Sequence, residues 1–139
     1  GKQAMISPIL LHYNLREGRA GDIGRIARNL GISVRPVEKD EYRQTLAALC
    51  SLEEKALAAG QGAGFEEEIL VMAFFPEGLL GKLLDAIRAA GIAPVALKAV
   101  LTENNARWHS MQLHKELSEE YAYFRRQQEA RRQAGAKET

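Results

Sequence analysis

The chain has 139 residues, of which 46% are hydrophobic and 27% charged, and its formal net charge is +1. This length fits one domain with a hydrophobic core better than two, and the balanced charge makes nucleic-acid binding unlikely as a main function. The single cysteine, Cys50, excludes an intrachain disulfide and a metal site built from several cysteines. Because no apolar run approaches the ~20 residues of a membrane span, we expect a cytoplasmic protein without a membrane segment.

The first half of the chain opens with a predicted strand and helix. Residues 9–13 form an apolar run of strand length, and residues 14–21 carry the polar and glycine residues of a loop. Apolar side chains then recur with the spacing of an amphipathic helix at Ile23, Ile26, Ala27 and Leu30. Gly31 is well placed to end this helix, since glycine readily adopts the left-handed conformation of a C-cap.

A second strand and a second helix complete this half. Residues 32–37 predict the strand, and Pro36 assigns it to the edge of a sheet because proline has no N–H group to donate. Apolar positions over residues 41–57 predict a helix of about four turns. Cys50 lies within this pattern, so we expect it to be a buried structural thiol.

The second half follows the same plan. Residues 68–75 predict a strongly apolar strand, and a helix follows with apolar positions at Leu80, Leu83, Leu84 and Ile87. Residues 93–97 predict a fourth strand, which Pro94 again assigns to an edge. A long last helix is predicted to begin near Asn104. We expect residues 125–139, which hold five basic and two acidic side chains, to be a fraying or disordered basic tail.

The chain also repeats itself at a distance of sixty residues. Eight of 29 positions are identical between residues 9–37 and 69–97, which indicates duplication of one β-α-β-α unit. We therefore expect a single α/β domain over residues 1–124, with one copy over residues 6–58 and a second over residues 66–124.

The predicted architecture is a four-stranded sheet with helices on both faces. Right-handed crossovers within each copy favour the strand order 2-1-3-4, with the proline-bearing strands outside. The alternative is a ferredoxin-like α+β sandwich, which also places strands 2 and 4 outside but joins strands 2 and 3 directly. The helix predicted between those strands favours the first arrangement.

One candidate site follows from the preferred strand order. The winding reverses between strands 1 and 3, so we expect the loops after them to meet in a crevice of the kind that binds ligands in open α/β sheets. Free helix N–H groups could hold an anion there, and Glu17 and Glu77 could act as paired carboxylates. The residues of this possible crevice are Arg16, Glu17, Gly18, Gly21, Glu77 and Gly78.

A second candidate site lies between strand 4 and the last helix. An exposed Trp108 beside Lys98 would suit a contact with a partner, whereas a packed Trp108 would anchor the strand. Thr102 is a residue type that caps helices. The motif Leu-Lys-Ala-Val-Leu-Thr-x-x-Asn-x-x-Trp over residues 97–108, with Glu68-Ile-Leu-Val-Met before it and Leu113-x-x-Glu-Leu-x-x-Glu after it, resembles a bacterial domain-of-unknown-function family over about residues 66–121.

The resemblance implies no established activity, cofactor or catalytic residue. It does imply that Lys98, Thr102, Asn105 and Trp108 are signature positions, for folding or for binding. His109 and His114 are about 140° apart around a helix, so they cannot bind one metal together, and we expect no metal or cofactor.

The sequence thus favours a non-enzymatic module that binds a protein or small ligand through the Lys98–Trp108 segment. The alternative is a small enzyme or a nucleotide or anion binder that uses the crevice between residues 17–21 and 77–81. A homodimer through the last helix is a further possibility, because the apolar stripe of that helix exceeds what a small sheet covers.

Overall fold

The computed structural model describes residues 6–56 and 64–138. The strands are β1 (Ile9–Tyr13), β2 (Ser33–Pro36), β3 (Ile69–Ala73) and β4 (Leu97–Val100). The α-helices are α1 (Glu17–Asn29), α2 (Leu46–Leu49), α3 (Leu79–Ala89) and α4 (Ser110–Glu138), and short 3₁₀ turns span Lys39–Glu41 and Asn105–Arg107. Among the helices of these ranges, none is long and apolar enough to cross a membrane.

The four strands form one mixed sheet in the order β2-β1-β3-β4. β1 pairs with β2, and β3 with β4, in parallel, whereas β1 and β3 pair antiparallel with Leu11 opposite Val71. The order 2-1-3-4 is therefore confirmed. The ferredoxin-like alternative is wrong, because a split β-α-β sheet would separate β1 from β2.

Helices cover both faces of this sheet, as predicted, and each face has its own core. Successive strand side chains point to opposite faces, so Leu10 packs under α1 and α3 while Leu11 packs under α2 and the start of α4. On β3, Leu70 likewise lies on the α1 and α3 face and Val71 on the opposite face. Each leucine or valine that is fully buried contributes roughly 1.5–3 kcal/mol relative to exposure.

The helix predicted over residues 41–57 is wrong, although its buried positions are right. The chain instead forms the 3₁₀ turn and the four-residue α2, which Thr45 caps by accepting a hydrogen bond from the Ala48 N–H at 3.1 Å. Ser51 then adopts a left-handed conformation with φ of 64°, which ends the helix. Cys50 is buried as expected, and residue 57 lies outside the described residues.

The predicted fourth strand is displaced by four residues. Ile9 pairs with Ser33, but Ile69 pairs with Leu97, so β4 begins where the prediction over residues 93–97 ends. Pro94 precedes the strand because it cannot donate to the ladder. Val95 is buried beside α3 instead, and the longer crossover of the second half accommodates it.

The helix boundaries also differ from the sequence predictions. Residues 17–21 belong to the first turns of α1 and are not a loop. α4 begins at Ser110, later than predicted, because Trp108 has an extended conformation with ψ of 145° that separates the 3₁₀ turn from the helix. α4 then continues to Glu138, and the described side chains from 123 to 135 are exposed.

Candidate functional site

The two Glu-Gly-x-x-Gly segments do not share a crevice. Because β1 and β3 are antiparallel, the last residue of β1, Tyr13, lies opposite the first residue of β3, Ile69. The starts of α1 and α3 therefore lie at opposite ends of the two central strands, which are five residues or roughly 16 Å long. The expected crevice is wrong, and Glu17 and Glu77 cannot act as paired carboxylates.

At the start of α1, the charged side chains connect this helix to the second half. Arg19 donates two hydrogen bonds to the Glu68 carboxylate, at 2.8 and 2.9 Å. Arg16 and Glu17 are exposed, and Gly18 and Gly21 are ordinary helical positions in α1. Gly78 alone among the predicted loop glycines is left-handed, with φ of 88° at the N-cap of α3.

Two signature residues, Thr102 and Asn105, close the turn after β4. The Thr102 N–H donates to Asn105 Oδ1 at 2.8 Å, and the Asn105 N–H donates to Thr102 Oγ1 at 3.1 Å. Asn105 Nδ2 also donates to the Val100 carbonyl at 2.9 Å. Asn105 is only 8% exposed, so its polar groups are used inside the protein.

Trp108 fixes the segment between the 3₁₀ turn and α4. Its ring is half-buried against the core under α2 and α4. Its carbonyl accepts a hydrogen bond from the Leu46 N–H at 2.9 Å, and its own N–H donates to the Asn105 carbonyl at 3.0 Å. Thr102, Asn105 and Trp108 thus hold the connection between β4 and α4 in place.

Lys98 differs from the other signature residues because it borders an open groove. Its ammonium group donates to the Val95 carbonyl, and its side chain is half-buried on β4. We define the β4–α4 groove as the concave surface of about 280 Å³ lined by Leu97, Lys98, Leu117, Glu120, Tyr121, Tyr123 and Phe124, with Ala96. Tyr123 and Phe124 are 59% and 56% exposed.

The two edges of the sheet are protected to different degrees. Because the Ser33 and Val37 N–H groups donate toward β1, Pro36 faces outward, and its missing N–H blunts this edge. On the other edge, the Leu101 N–H donates to Met72 of β3. Along an edge strand in a parallel pair, the main-chain groups of successive residues point alternately toward and away from the neighbouring strand. The N–H and C=O groups of Lys98 therefore point away from β3, and they lie beside the β4–α4 groove.

A buried aromatic cluster is a feature that the sequence pattern did not reveal. The rings of Tyr13, Tyr42 and Phe65 pack together, and His114 stacks on Phe65 with centroids 4.2 Å apart. The Tyr13 hydroxyl lies 2.7 Å from Ser110 Oγ. These residues come from separate segments, so no local motif could have identified them.

His114 does not form a catalytic relay. Glu67 Oε1 lies 2.6 Å from His114 Nε2, and Ser118 Oγ lies 3.3 Å from the same nitrogen. A Ser-His-carboxylate triad requires the two partners on different ring nitrogens. Within residues 6–56 and 64–138, no three or more histidine, cysteine or acidic side chains are grouped so that they could hold a metal ion.

Burial shifts the pKa values of two further side chains of reactive types, Cys50 and His12. It raises the pKa of Cys50 to about 11, so the thiol stays protonated and is a poor nucleophile. Burial, and then the nearby Arg28 guanidinium, lower the pKa of His12 below its usual value. His12 is 8% exposed and borders a concave surface with Asn14 and Lys39 at the carboxyl ends of β1 and β2.

The comparisons with known proteins give one match, to a family model over part of the chain. No curated protein and no solved structure matches the chain. Residues 68–124 match a family model described as "Domain of unknown function (DUF3783)". The matched segment runs from the start of β3 into α4 and contains both walls of the β4–α4 groove. The second half of this chain is therefore similar to a domain-of-unknown-function family, as its sequence predicts.

Proposed function

We propose that this protein is a non-enzymatic, protein-binding module that recognises its partner at the β4–α4 groove. One observation carries the proposal: an outward-facing strand edge at Lys98 lies beside the exposed aromatic rings of Tyr123 and Phe124. Aromatic side chains supply much of the binding energy at protein interfaces, and an open strand edge offers main-chain hydrogen bonds to a partner.

The polar groups at the border of the groove suit a protein ligand better than an ion. Glu120 and the outward-facing main chain of Lys98 border the aromatic surface, which is the arrangement of a polar rim around an apolar centre. The site is thus shifted from the whole Lys98–Trp108 segment to its first residue, with Thr102, Asn105 and Trp108 as its structural support. We include in the same proposal that the protein is bacterial and cytoplasmic and uses no cofactor.

We also infer that the two halves descend from one duplicated β-α-β-α unit. Asn14 and Phe74 have positive φ angles of 58° and 62°, and Gly31 and Gly91 have φ angles of 81° and 76°. The members of each pair lie sixty residues apart. A left-handed Phe is unusual. The left-handed backbone shared by Asn14 and Phe74 therefore supports a common origin better than turn chemistry alone does.

Selection of displayed peptides tests the binding function even though the natural partner is unidentified. The protein is immobilised sparsely, so that its copies do not meet, and selected peptides are titrated against Phe124→Ser. Because Phe124 is exposed, the fold should persist, and we expect the peptide Kd to rise at least ~10-fold. Leu52→Ser is the matched control, since Leu52 is 51% exposed and lies away from the groove.

The result for Leu52→Ser decides the specificity of the effect. We expect its peptide Kd to stay within about twofold of the wild-type value, because Leu52 is not part of the recognition surface. Peptides that bind both variants as well as they bind the wild type would contradict the proposal, and so would a selection that yields no binding peptide.

A further inference from the structure

One face of α4 carries a pattern that is complementary to itself. At 100° per residue, the side chains of this face, which we call the α4 seam, fall within about 100° of one another around the helix. They are Glu116, Glu120, Tyr123, Phe124, Gln127 and Arg131, and all are exposed. The seam therefore has an acidic end, an aromatic centre and a basic end.

The seam is accessible because α4 extends beyond the body of the domain. Leu117 still packs against the core, whereas Phe124 is more than half exposed. The fourteen residues from Arg125 to Glu138 continue the helix for roughly 21 Å. Half of the seam thus lies along the β4–α4 groove and half projects past it.

The spacing of the seam fits a two-fold axis. Glu116 lies seven residues before Tyr123, and Arg131 lies seven residues after Phe124. In an isologous interface, a contact from one residue to another is always reciprocated. An axis between the two aromatic residues therefore brings the acidic end of each helix to the basic end of the other.

We propose that a second copy of this chain docks antiparallel along the α4 seam. Tyr123 and Phe124 of each copy pack against the same two residues of its partner, and Glu116 of each copy pairs with Arg131 of the other. Neither charge has an ion-pair partner within the residues that the structure describes. The inference rests on the proposed function, because it identifies the protein that occupies the groove side of α4.

Reversal of the two charges provides the test. E116R gives each homodimer two like-charged contacts, and R131E does the same with the opposite sign, so we expect each to raise the homodimer Kd at least ~10-fold. The E116R/R131E double variant should dimerise like the wild type. An equal mixture of the single variants should form a heterodimer, measured by sedimentation equilibrium and by fluorescence transfer between labelled chains.

E119R is the matched control for these variants. It makes the same charge change on an exposed residue of α4, but Glu119 lies about 90° from the centre of the seam. We expect its homodimer Kd to stay within about twofold of the wild-type value. Thermal unfolding followed by circular dichroism should show that all variants remain folded.

Three results would overturn the inference. They are a wild-type chain that stays monomeric at about 1 mM in low salt, an E119R variant that weakens the dimer as much as E116R, and single variants that do not pair when mixed. A monomeric wild type whose peptide binding still depends on Phe124 would leave the proposed function standing. If the mixed single variants form a heterodimer but peptide binding is unchanged in Phe124→Ser, the dimer inference would stand and the proposed function would not.

Discussion

Asn105 is the residue on which the exit from β4 depends most. Its amide group links the Thr102 N–H to the Val100 carbonyl, so Asn105→Ala removes both hydrogen bonds at a buried position. We expect the free energy of unfolding to fall by about 1–3 kcal/mol. Urea unfolding with an unchanged m-value would measure this loss.

The neighbouring asparagine is the control for that experiment. Asn104 is exposed and its side chain makes no cap hydrogen bond, so Asn104→Ala should change the free energy of unfolding by no more than about 0.5 kcal/mol. Equal losses in the two variants would show that the Asn105 amide contributes nothing beyond general helix and turn propensity.

His12 is expected to make stability depend on pH. Its folded-state pKa is lowered by burial and by Arg28, while the unfolded chain keeps the ordinary value of 6.5. The unfolded state therefore binds a proton more readily, and the stabilising contribution of neutral His12, present above about pH 6.5, is lost as the pH falls further.

His12→Met, which introduces the residue found sixty positions later, should remove this contribution. We expect the decrease in unfolding free energy between about pH 7 and pH 5 to be smaller in the variant than in the wild type. Urea titrations across that range provide the measurement. Parallel stability curves for the two proteins would mean that His12 has the same pKa folded and unfolded.

At the scale of the elements, two glycines with open space around them should respond to alanine with opposite sign. Gly91 has φ of 76° and Gly81 lies within α3, and an added Cβ meets no atom within 4 Å at either position. Gly91→Ala should cost about 1 kcal/mol because of its left-handed backbone. Gly81→Ala should stabilise by about 0.5–1 kcal/mol through helix propensity.

The two substitutions add the same methyl group, so the difference between them isolates backbone conformation. Urea unfolding of both variants gives that difference directly. A loss of stability in both proteins would contradict the assignment of Gly81 to a regular helical position. A gain in both would contradict the left-handed conformation at Gly91.

The elements also show why periodicity predicts burial better than it predicts structure. Tyr42, Leu46 and Leu49 have helical spacing and are all buried, yet the chain makes a 3₁₀ turn and one turn of α-helix there. Arg35 donates to the Leu49 carbonyl, and the Trp108 carbonyl accepts from the Leu46 N–H. Tertiary hydrogen bonds thus replace those that a longer helix would have made.

At the scale of the whole molecule, the antiparallel contact between β1 and β3 determines which loops and helix ends of the two halves lie together. It places the starts of α1 and α3 at opposite ends of the two central strands, so they cannot form a common crevice. The two outer strands are unequal, because Pro36 blunts the edge of β2 whereas the main chain of Lys98 faces outward on β4. α4 crosses from Ser110, beside Tyr13, to the β4 edge, and so presents its aromatic residues where the sheet is least protected.

The sequence by itself determined the order of the strands, their outer positions, the two-faced core and the glycine that ends each long crossover helix. These features depend on local chemistry: the alternation of strand side chains, the helical spacing of apolar residues, the missing N–H of Pro36 and the conformational freedom of Gly31.

Only the tertiary structure decided the direction in which the two halves pair, the length of α2, the position of β4 and the separate roles within the signature. Each of these depends on partners far apart in the chain, such as Arg19 with Glu68 or Leu46 with Trp108. Similar local patterns in the two halves predict similar local elements. The free energy of packing one unit against the other depends on contacts that no local pattern contains.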